Sequence, residues 1–274
     1  MKTGFIGYGN MGGALLRSLL AAGAIDAGDV MVSTRTGSRL EGLLKEYPGL
    51  ATGTNVAVAR ECARLFICVR TGEVKGVMEE IVPHLHRDAH LVYICAGLEI
   101  KNLAKLFAGK ITKVVPSMTS EVGAGVSLVC HNGLVDEKDR ASVEAMLGKI
   151  GRVKTIPEDH FEVGADLTSC APAFIACLCE EFARAGARHS DFTVDEAWEM
   201  VVATLYGTAK LLFEKQTGSG EIIRKVATPG GISAEGLKVL ARELPAVFDR
   251  LFEATLKKHE TVKEAVSAEY TRRD

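Results

Sequence analysis

The sequence lacks an excess of charge of either sign: Lys and Arg number 33 and Asp and Glu 35, giving a net charge of -2. A protein that coats a polyanion needs a basic face, so no nucleic-acid partner is expected, although one local basic pocket for a single phosphate is still allowed. No leader is expected, because MKTGFIGYGNMGG enters a strand–turn–helix pattern almost at once. There is no long hydrophobic run either. The longest apolar stretch near the middle, Ala171–Cys179, has nine residues and contains Pro172, well below the ~20 that span a bilayer, so no membrane partner is expected. CxxC spacing is missing. The seven cysteines (62, 68, 95, 130, 170, 177 and 179) are odd in number, and most sit in apolar runs such as Phe66-Ile67-Cys68-Val69. That pattern points to buried, reduced thiols in the cytoplasm. The only close histidine pair, His84 and His86, reads as a solvated loop with no ligands grouped around it, so no metal is expected. Internal repeats and low-complexity segments are also missing.

What is present is enough chain, 274 residues with 47% hydrophobic content, for two compact domains. Strand-like runs fall at 3–7, 30–34, 65–69, 91–95, 112–115, 126–130 and 153–156. Helical patterns lie between them at 11–22, 38–47, 73–84, 100–106 and 137–150. This alternation predicts an α/β domain over 1–156 built on a mostly parallel sheet covered on both faces. The β signal then ends, and residues 157–274 read as an all-α domain with long helices at 160–186, 194–215 and 244–268 and a frayed tail at 271–274. Phe174, Ile175, Leu178, Leu205, Leu211 and Leu212 are more than one small bundle can bury, so packing against a second copy is expected.

Gly7-Tyr8-Gly9-Asn10-Met11-Gly12 is a GxGxxG that follows an apolar strand and opens an amphipathic helix, the context in which the motif signals a Rossmann-like dinucleotide site. Gly7 permits the tight turn, Gly9 lets a pyrophosphate approach the backbone and Gly12 lets the helix pack on the sheet, with helix-start N–H groups receiving the anion. At the end of the second strand no acid appears from Val30 through Leu40. Thr34, Arg35 and Arg39 stand there instead. A guanidinium with hydroxyl neighbours suits a 2′-phosphate, so NADPH is preferred over NADH. An ordinary solvated Arg35 is the alternative.

Four further segments complete a pattern: Phe66-Ile67-Cys68-Val69-Arg70-Thr71, Ile94-Cys95-Ala96-Gly97-Leu98-Glu99-Ile100, Ala171-Pro172-Ala173 and Val226-Ala227-Thr228-Pro229-Gly230-Gly231-Ile232-Ser233. Together with the opening FIGYGNMGGA, and in this order from residue 1 to about 260, the chain resembles the pyrroline-5-carboxylate reductase family. The resemblance implies a Rossmann domain followed by a helical dimerisation domain. It also implies NADPH-dependent reduction of a cyclic imine, 1-pyrroline-5-carboxylate to proline, by a homodimer or higher homo-oligomer acting on a small-molecule substrate. By family position, Asn55, Val69, Arg70 and Ala96 join Gly7–Gly12, Thr34 and Arg35 around the cofactor. Ser233 matches a substrate-contacting threonine and is the candidate catalytic residue. Thr228, Gly230, Gly231, Ile232 and Glu158 are candidates for binding the substrate. The bland readings are a helix-connecting turn with Ser233 as N-cap, and a first-turn helix acid for Glu158. The chain departs from the family's motifs at Val69-Arg70-Thr71, at Val115-Pro116-Ser117-Met118-Thr119, at Ser169-Cys170-Ala171-Pro172-Ala173 and at Ile232-Ser233, and the cofactor half of the pattern survives better than the substrate-facing half. A related reductase or dehydrogenase with another small substrate is therefore the second reading, and a cofactor-binding paralogue without turnover the third. Lys210 reads as a snorkelling helix residue, and Cys170 is expected in the core.

Overall fold

The structure, a computed structural model, describes residues 2–271. Of the tail expected to fray, only Thr271, in an exposed turn, falls within the described residues. The chain forms two compact units, Met1–Cys170 together with Thr255–Asp274, and Ala171–Ala254. This partition differs from the 156/157 division read in the sequence. Residues 161–170 contact the seventh strand of the sheet, and the end of the last helix contributes to the same core.

The first unit runs β1 (Thr3–Ile6), α1 (Asn10–Ala21), β2 (Val30–Ser33), α2 (Glu41–Glu46), β3 (Ala51–Thr52), α3 (Asn55–Glu61), β4 (Arg64–Ile67), α4 (Val74–Ile81), β5 (His90–Tyr93), α5 (Ile100–Leu103), β6 (Lys110–Val115), β7 (Gly125–His131), α6 (Glu137–Gly148), β8 (Gly151–Thr155) and α7 (Phe161–Ala165). The eight strands form one sheet in the order β3-β2-β1-β4-β5-β6-β7-β8. Neighbours are parallel except β6 and β7, which are antiparallel. Crossover helices cover both faces, and for that reason β1, β2, β4 and β5 are buried at every position. Successive side chains alternate between faces. Phe5 joins Leu16, Leu19 and Phe66 in one apolar cluster, and Ile6 joins Val58, Ile67 and Met78 in the other. The Phe5 and Phe66 rings stack with centroids 4.7 Å apart. Burying each such side chain contributes about 1.5–3 kcal/mol.

The second unit holds α8 (Ala171–Arg188), α9 (Val194–Phe213), α10 (Ser219–Val226) and the first part of α11 (Ile232–Glu269). Thr193 and Glu196 start α9 by reciprocal capping: the Thr193 hydroxyl accepts from Glu196 N at 3.2 Å and the Glu196 carboxylate from Thr193 N at 2.8 Å. Helix α8 packs on α9. Only Ala183 and Ala197 are buried between Ala171 and Ala254, however, and Phe182 and Tyr206 are 72% and 67% exposed.

Several expectations need correction. Strand β3 and helices α3 and α10 are additional to those read from the sequence, and α11 starts at Ile232 instead of Leu244, with Pro245 inside it. The apolar segment at 171–179 belongs to a continuous helical run, Glu158–Arg188, which by length and composition alone could cross a membrane, with 17% of its most apolar window buried. All seven cysteines are free, but only Cys62, Cys68 and Cys95 are buried. Cys177 is exposed, and Cys170 is half-buried, not in the core.

Residues 166–170 of that run form a π-helical turn. Pro172 has no N–H to give the carbonyl four residues earlier, that of Thr168. The buried Ser117 hydroxyl donates to Thr168 O at 3.0 Å instead. Buried Asp166 accepts from the Thr255 hydroxyl at 2.6 Å and lies 3.1 Å from His259 Nε2, tying the end of α11 to the first unit. Val266 and Tyr270 then enter the second apolar cluster. Gly97, at φ +72°, makes room for Val262, whose Cγ1 would lie 2.6 Å from any added Cβ.

Candidate active site

The first strand ends where its chain must turn sharply to enter α1. Gly7 sits at φ +99°, and a Cβ there would lie 2.7 Å from the Cys68 carbonyl oxygen. Only glycine fits both demands. Gly12 fits for a different reason: its Cβ would lie 2.6 Å from Cys68 Cβ, so its absence lets α1 approach the end of β4. Gly9 precedes the helix with extended backbone (φ -86°, ψ -169°), and nothing lies within 4 Å of where its Cβ would be. The start of α1 carries no acidic residue and no side-chain cap, so its orphan N–H groups face an open position suited to an anion.

This turn forms one wall of a cleft of about 970 Å³ within the first unit. Of the residues proposed from the sequence, Gly7, Tyr8, Gly9, Asn10, Thr34, Arg35, Asn55, Val69 and Arg70 line it. Met11 and Gly12, in the first turn of α1, are not among the lining residues. Ala96 also lies outside the lining; its carbonyl accepts from the hydroxyl of Thr71, the residue after Arg70, at 3.0 Å. Asn55, in the first turn of α3, accepts from the Ser33 hydroxyl at 2.6 Å and donates to Glu80 at 2.7 Å, which fixes its amide across the floor of the cleft.

The rim at the end of β2 is cationic, with Arg35 79% exposed and Arg39 beside it. Sequence reasoning did not single out the residues that face these groups from the start of α4. Glu73 lies 2.9 Å from Arg35 and 2.8 Å from Arg70, and its second oxygen accepts from Arg70 N at 3.3 Å. The Arg70 guanidinium, bonded to it, holds the Glu73 carboxyl below the usual carboxylate range. Gly76, Val77 and Glu80 complete this wall. Their only sequence signal is that α4 follows the strand next to β1, and in this sheet order the start of α4 borders the phosphate turn. An open glycine turn, a bare helix start and three lining guanidinium groups, those of Arg35, Arg39 and Arg70, fit a phosphorylated dinucleotide, whose role when bound is to carry a hydride.

Glu158 lies elsewhere. Its Oε1 accepts from Ile100 N at 2.8 Å and is 3.3 Å from Lys113 Nζ and 3.4 Å from the Tyr93 hydroxyl. Lys113 is buried and also sits 4.8 Å from the Phe161 ring centroid. The carboxylate thus neutralises a buried cation, which would be costly if left alone.

In the second unit, Thr228–Gly231 form a tight turn before α11. Gly231 N donates to Thr228 O at 2.9 Å, Gly230 takes φ +74°, and a Cβ on Gly231 would lie 2.8 Å from Thr228 Oγ1. The helix begins at Ile232, so Ser233 is one residue inside it and does not act as its N-cap. Thr228, Ile232 and Ser233 are exposed, Ile232 to 94%. Lys210 is half-exposed, 3.8 Å from Glu214 and 5.8 Å from the Tyr206 ring centroid, as a snorkelling helix residue would be.

A doubly covered parallel sheet, a glycine turn that admits a pyrophosphate and an appended helical unit define a dinucleotide-dependent oxidoreductase of the Rossmann class. Residues 2–97 match the family described as NADP oxidoreductase, coenzyme F420-dependent, and residues 158–262 match the pyrroline-5-carboxylate reductase dimerisation domain. The chain is 36% identical to pyrroline-5-carboxylate reductase 3 of Bacillus subtilis (strain 168), over 97% of this chain and 98% of that protein. Among solved structures, a pyrroline-5-carboxylate reductase from Coxiella burnetii superposes with a TM-score of 0.88 at 24% identity, covering 95% of this chain and 98% of that one. The Plasmodium falciparum pyrroline carboxylate reductase with NADP bound superposes with a TM-score of 0.83 at 24% identity, covering 96% and 98%. The chain belongs to the pyrroline-5-carboxylate reductase family.

Proposed function

We propose that this chain reduces 1-pyrroline-5-carboxylate to proline with NADPH. The observation that carries this reading is a match to a reductase of that name along nearly the whole chain, 97% of it, combined with a cleft whose turn and rim suit NADPH. When bound, the cofactor supplies a hydride to the electrophilic carbon of the C=N bond. The protein's task is then to position the partners and complement charge. Gly7, Tyr8, Gly9, Asn10 and the N–H groups at the start of α1 would hold the pyrophosphate, with Met11 and Gly12 setting the pitch of the helix behind them. Thr34, Arg35 and Arg70 would receive the 2′-phosphate side, and Asn55, Val69 and Ala96 the remaining cofactor wall.

On the substrate side, the Thr228–Ser233 turn offers N–H groups at the start of a long helix, with hydroxyls from Thr228 and Ser233. These are suitable donors to a carboxylate or a ring nitrogen. Ser233 would act as the orienting hydroxyl, with Gly230, Gly231 and Ile232 shaping the turn. Glu158, whose Oε1 is engaged by Ile100 N and lies 3.3 Å from Lys113, would bind the substrate through its second carboxylate oxygen.

The helical unit would join a second copy of the chain as a homodimer or larger homo-oligomer, which is supported by its nearly coreless helices. The 156/157 boundary would mark the start of this dimerisation module, in keeping with the matched range of 158–262. A cytoplasmic location suits its free thiols. A related substrate is a second reading, favoured by Met118, 57% exposed, and by Ile232 at substrate-side positions of the family pattern. Absorbance of NADPH followed with a panel of cyclic imines and 2- or 3-keto acids tests both readings. Oxidation specific to the cyclic imine is the expected result. Turnover only of carbonyl compounds would move the assignment to the second reading, and nucleotide binding without turnover would reject both.

A further inference from the structure

Glu73 is at odds with the cleft it lines. The cleft presents three guanidinium groups, Arg35, Arg39 and Arg70, and one carboxylate lies within 3 Å of two of them, Arg35 and Arg70. Glu73 is drawn into this position because it precedes α4 and its second oxygen accepts from Arg70 N at 3.3 Å. A carboxylate and a phosphate compete for the same planar donor fork, and two anions within one such site repel. The carboxyl is held below its usual range by these partners, so it stays charged at neutral pH and protonation does not relieve the competition.

We propose that Glu73 is an internal competitor for the 2′-phosphate, a specificity-determining residue that holds Arg35 and Arg70 until a phosphorylated ribose displaces it. This inference rests on the reading that NADPH occupies the cleft. It predicts that the chain discriminates between NADPH and NADH less sharply than Arg35 and Arg70, freed of Glu73, would allow beside Arg39. The carboxylate weakens only the nucleotide that needs the guanidinium groups.

Glu73→Gln is the informative substitution, since its amide oxygen can still accept from Arg70 N while the charge is removed. Calorimetry on the full-length protein with 2′,5′-ADP and with 5′-ADP separates the phosphate contribution without recourse to turnover. The expected result is that the variant binds 2′,5′-ADP about three- to tenfold more tightly, the scale of two partly exposed ion pairs, with 5′-ADP unchanged. In the double variant Arg35→Ala/Glu73→Gln, most of the gain should disappear. Weaker or unchanged binding of 2′,5′-ADP by Glu73→Gln, or equal tightening for both nucleotides, would overturn the proposal. If the unmodified protein binds 2′,5′-ADP no better than 5′-ADP, the cofactor reading fails and this inference with it. If it prefers 2′,5′-ADP and Glu73→Gln leaves that preference unmoved, only the inference fails.

Discussion

Leu16, Phe66 and Tyr93 are sealed in the first unit, each with 0% exposure, whereas Phe182 and Tyr206 in the second stand 72% and 67% exposed. The two regions are comparably rich in large apolar side chains but use them differently. A sheet covered on both faces closes its own core. A few helices of the length of α8 and α9 have too little interior to close one, and each keeps an apolar stripe turned outward. Contiguous exposed apolar surface of this kind marks an interaction site. One unit is thus built to hold a ligand, the other to be completed by another surface.

The contrast can be broken most severely in the helical unit. A double substitution, Phe182→Glu with Tyr206→Glu, should weaken self-association by about a hundredfold or more, the scale of losing central aromatic anchors. Sedimentation velocity would read this, while the nucleotide affinity of the first unit should persist; an unchanged assembly would remove this face from the interface. Gly12→Val strikes the other unit. Its branched side chain meets Cys68, so stability should fall by about 1–3 kcal/mol, read as a lower denaturant midpoint, with nucleotide affinity falling alongside. Arg35→Ala should weaken NADPH about tenfold or more, as expected for a lost charge-assisted bond, and leave NADH nearly unaffected; direct titration of both cofactors checks it, and equal loss for the two would reject the 2′-phosphate assignment. Ser233→Ala should have the smallest effect, lowering turnover by about three- to tenfold, one neutral hydrogen bond, at unchanged NADPH affinity. Steady-state kinetics beside a binding isotherm would show whether the two separate.

The sheet was legible in the sequence because β1, β4 and β5 are short apolar runs bounded by turn residues, and because glycines at 7, 9 and 12 have distinct steric reasons. Strand β3 escaped because it is two exposed residues, Ala51 and Thr52, with no apolar alternation. Helices α3 and α10 escaped because seven or eight residues give too little periodicity to read. The helix read from Leu244 is the later part of α11, which starts at Ile232 and runs through Pro245, losing one backbone donor without ending. In the cofactor cleft the glycines and Arg35 were legible because they occupy one continuous strand–turn–helix–strand stretch. Glu73 and Glu80 were not, because nothing in the linear order of α4 shows that its first turn meets the end of β2. The substrate-side turn was legible only through resemblance. Its local chemistry is that of any glycine turn before a helix.

The last turns of α11 have a consequence for how the chain is made. Val266 and Tyr270 belong to the same apolar cluster as Ile6 and Ile67, yet they leave the ribosome about 200 or more residues later. The nascent sheet can pair its strands early, but one patch of its interior stays wet until Val266 and Tyr270 have been made. A chain stalled before those residues would therefore carry exposed core surface, open to chaperones and proteases, and quality control could recognise it by that patch alone.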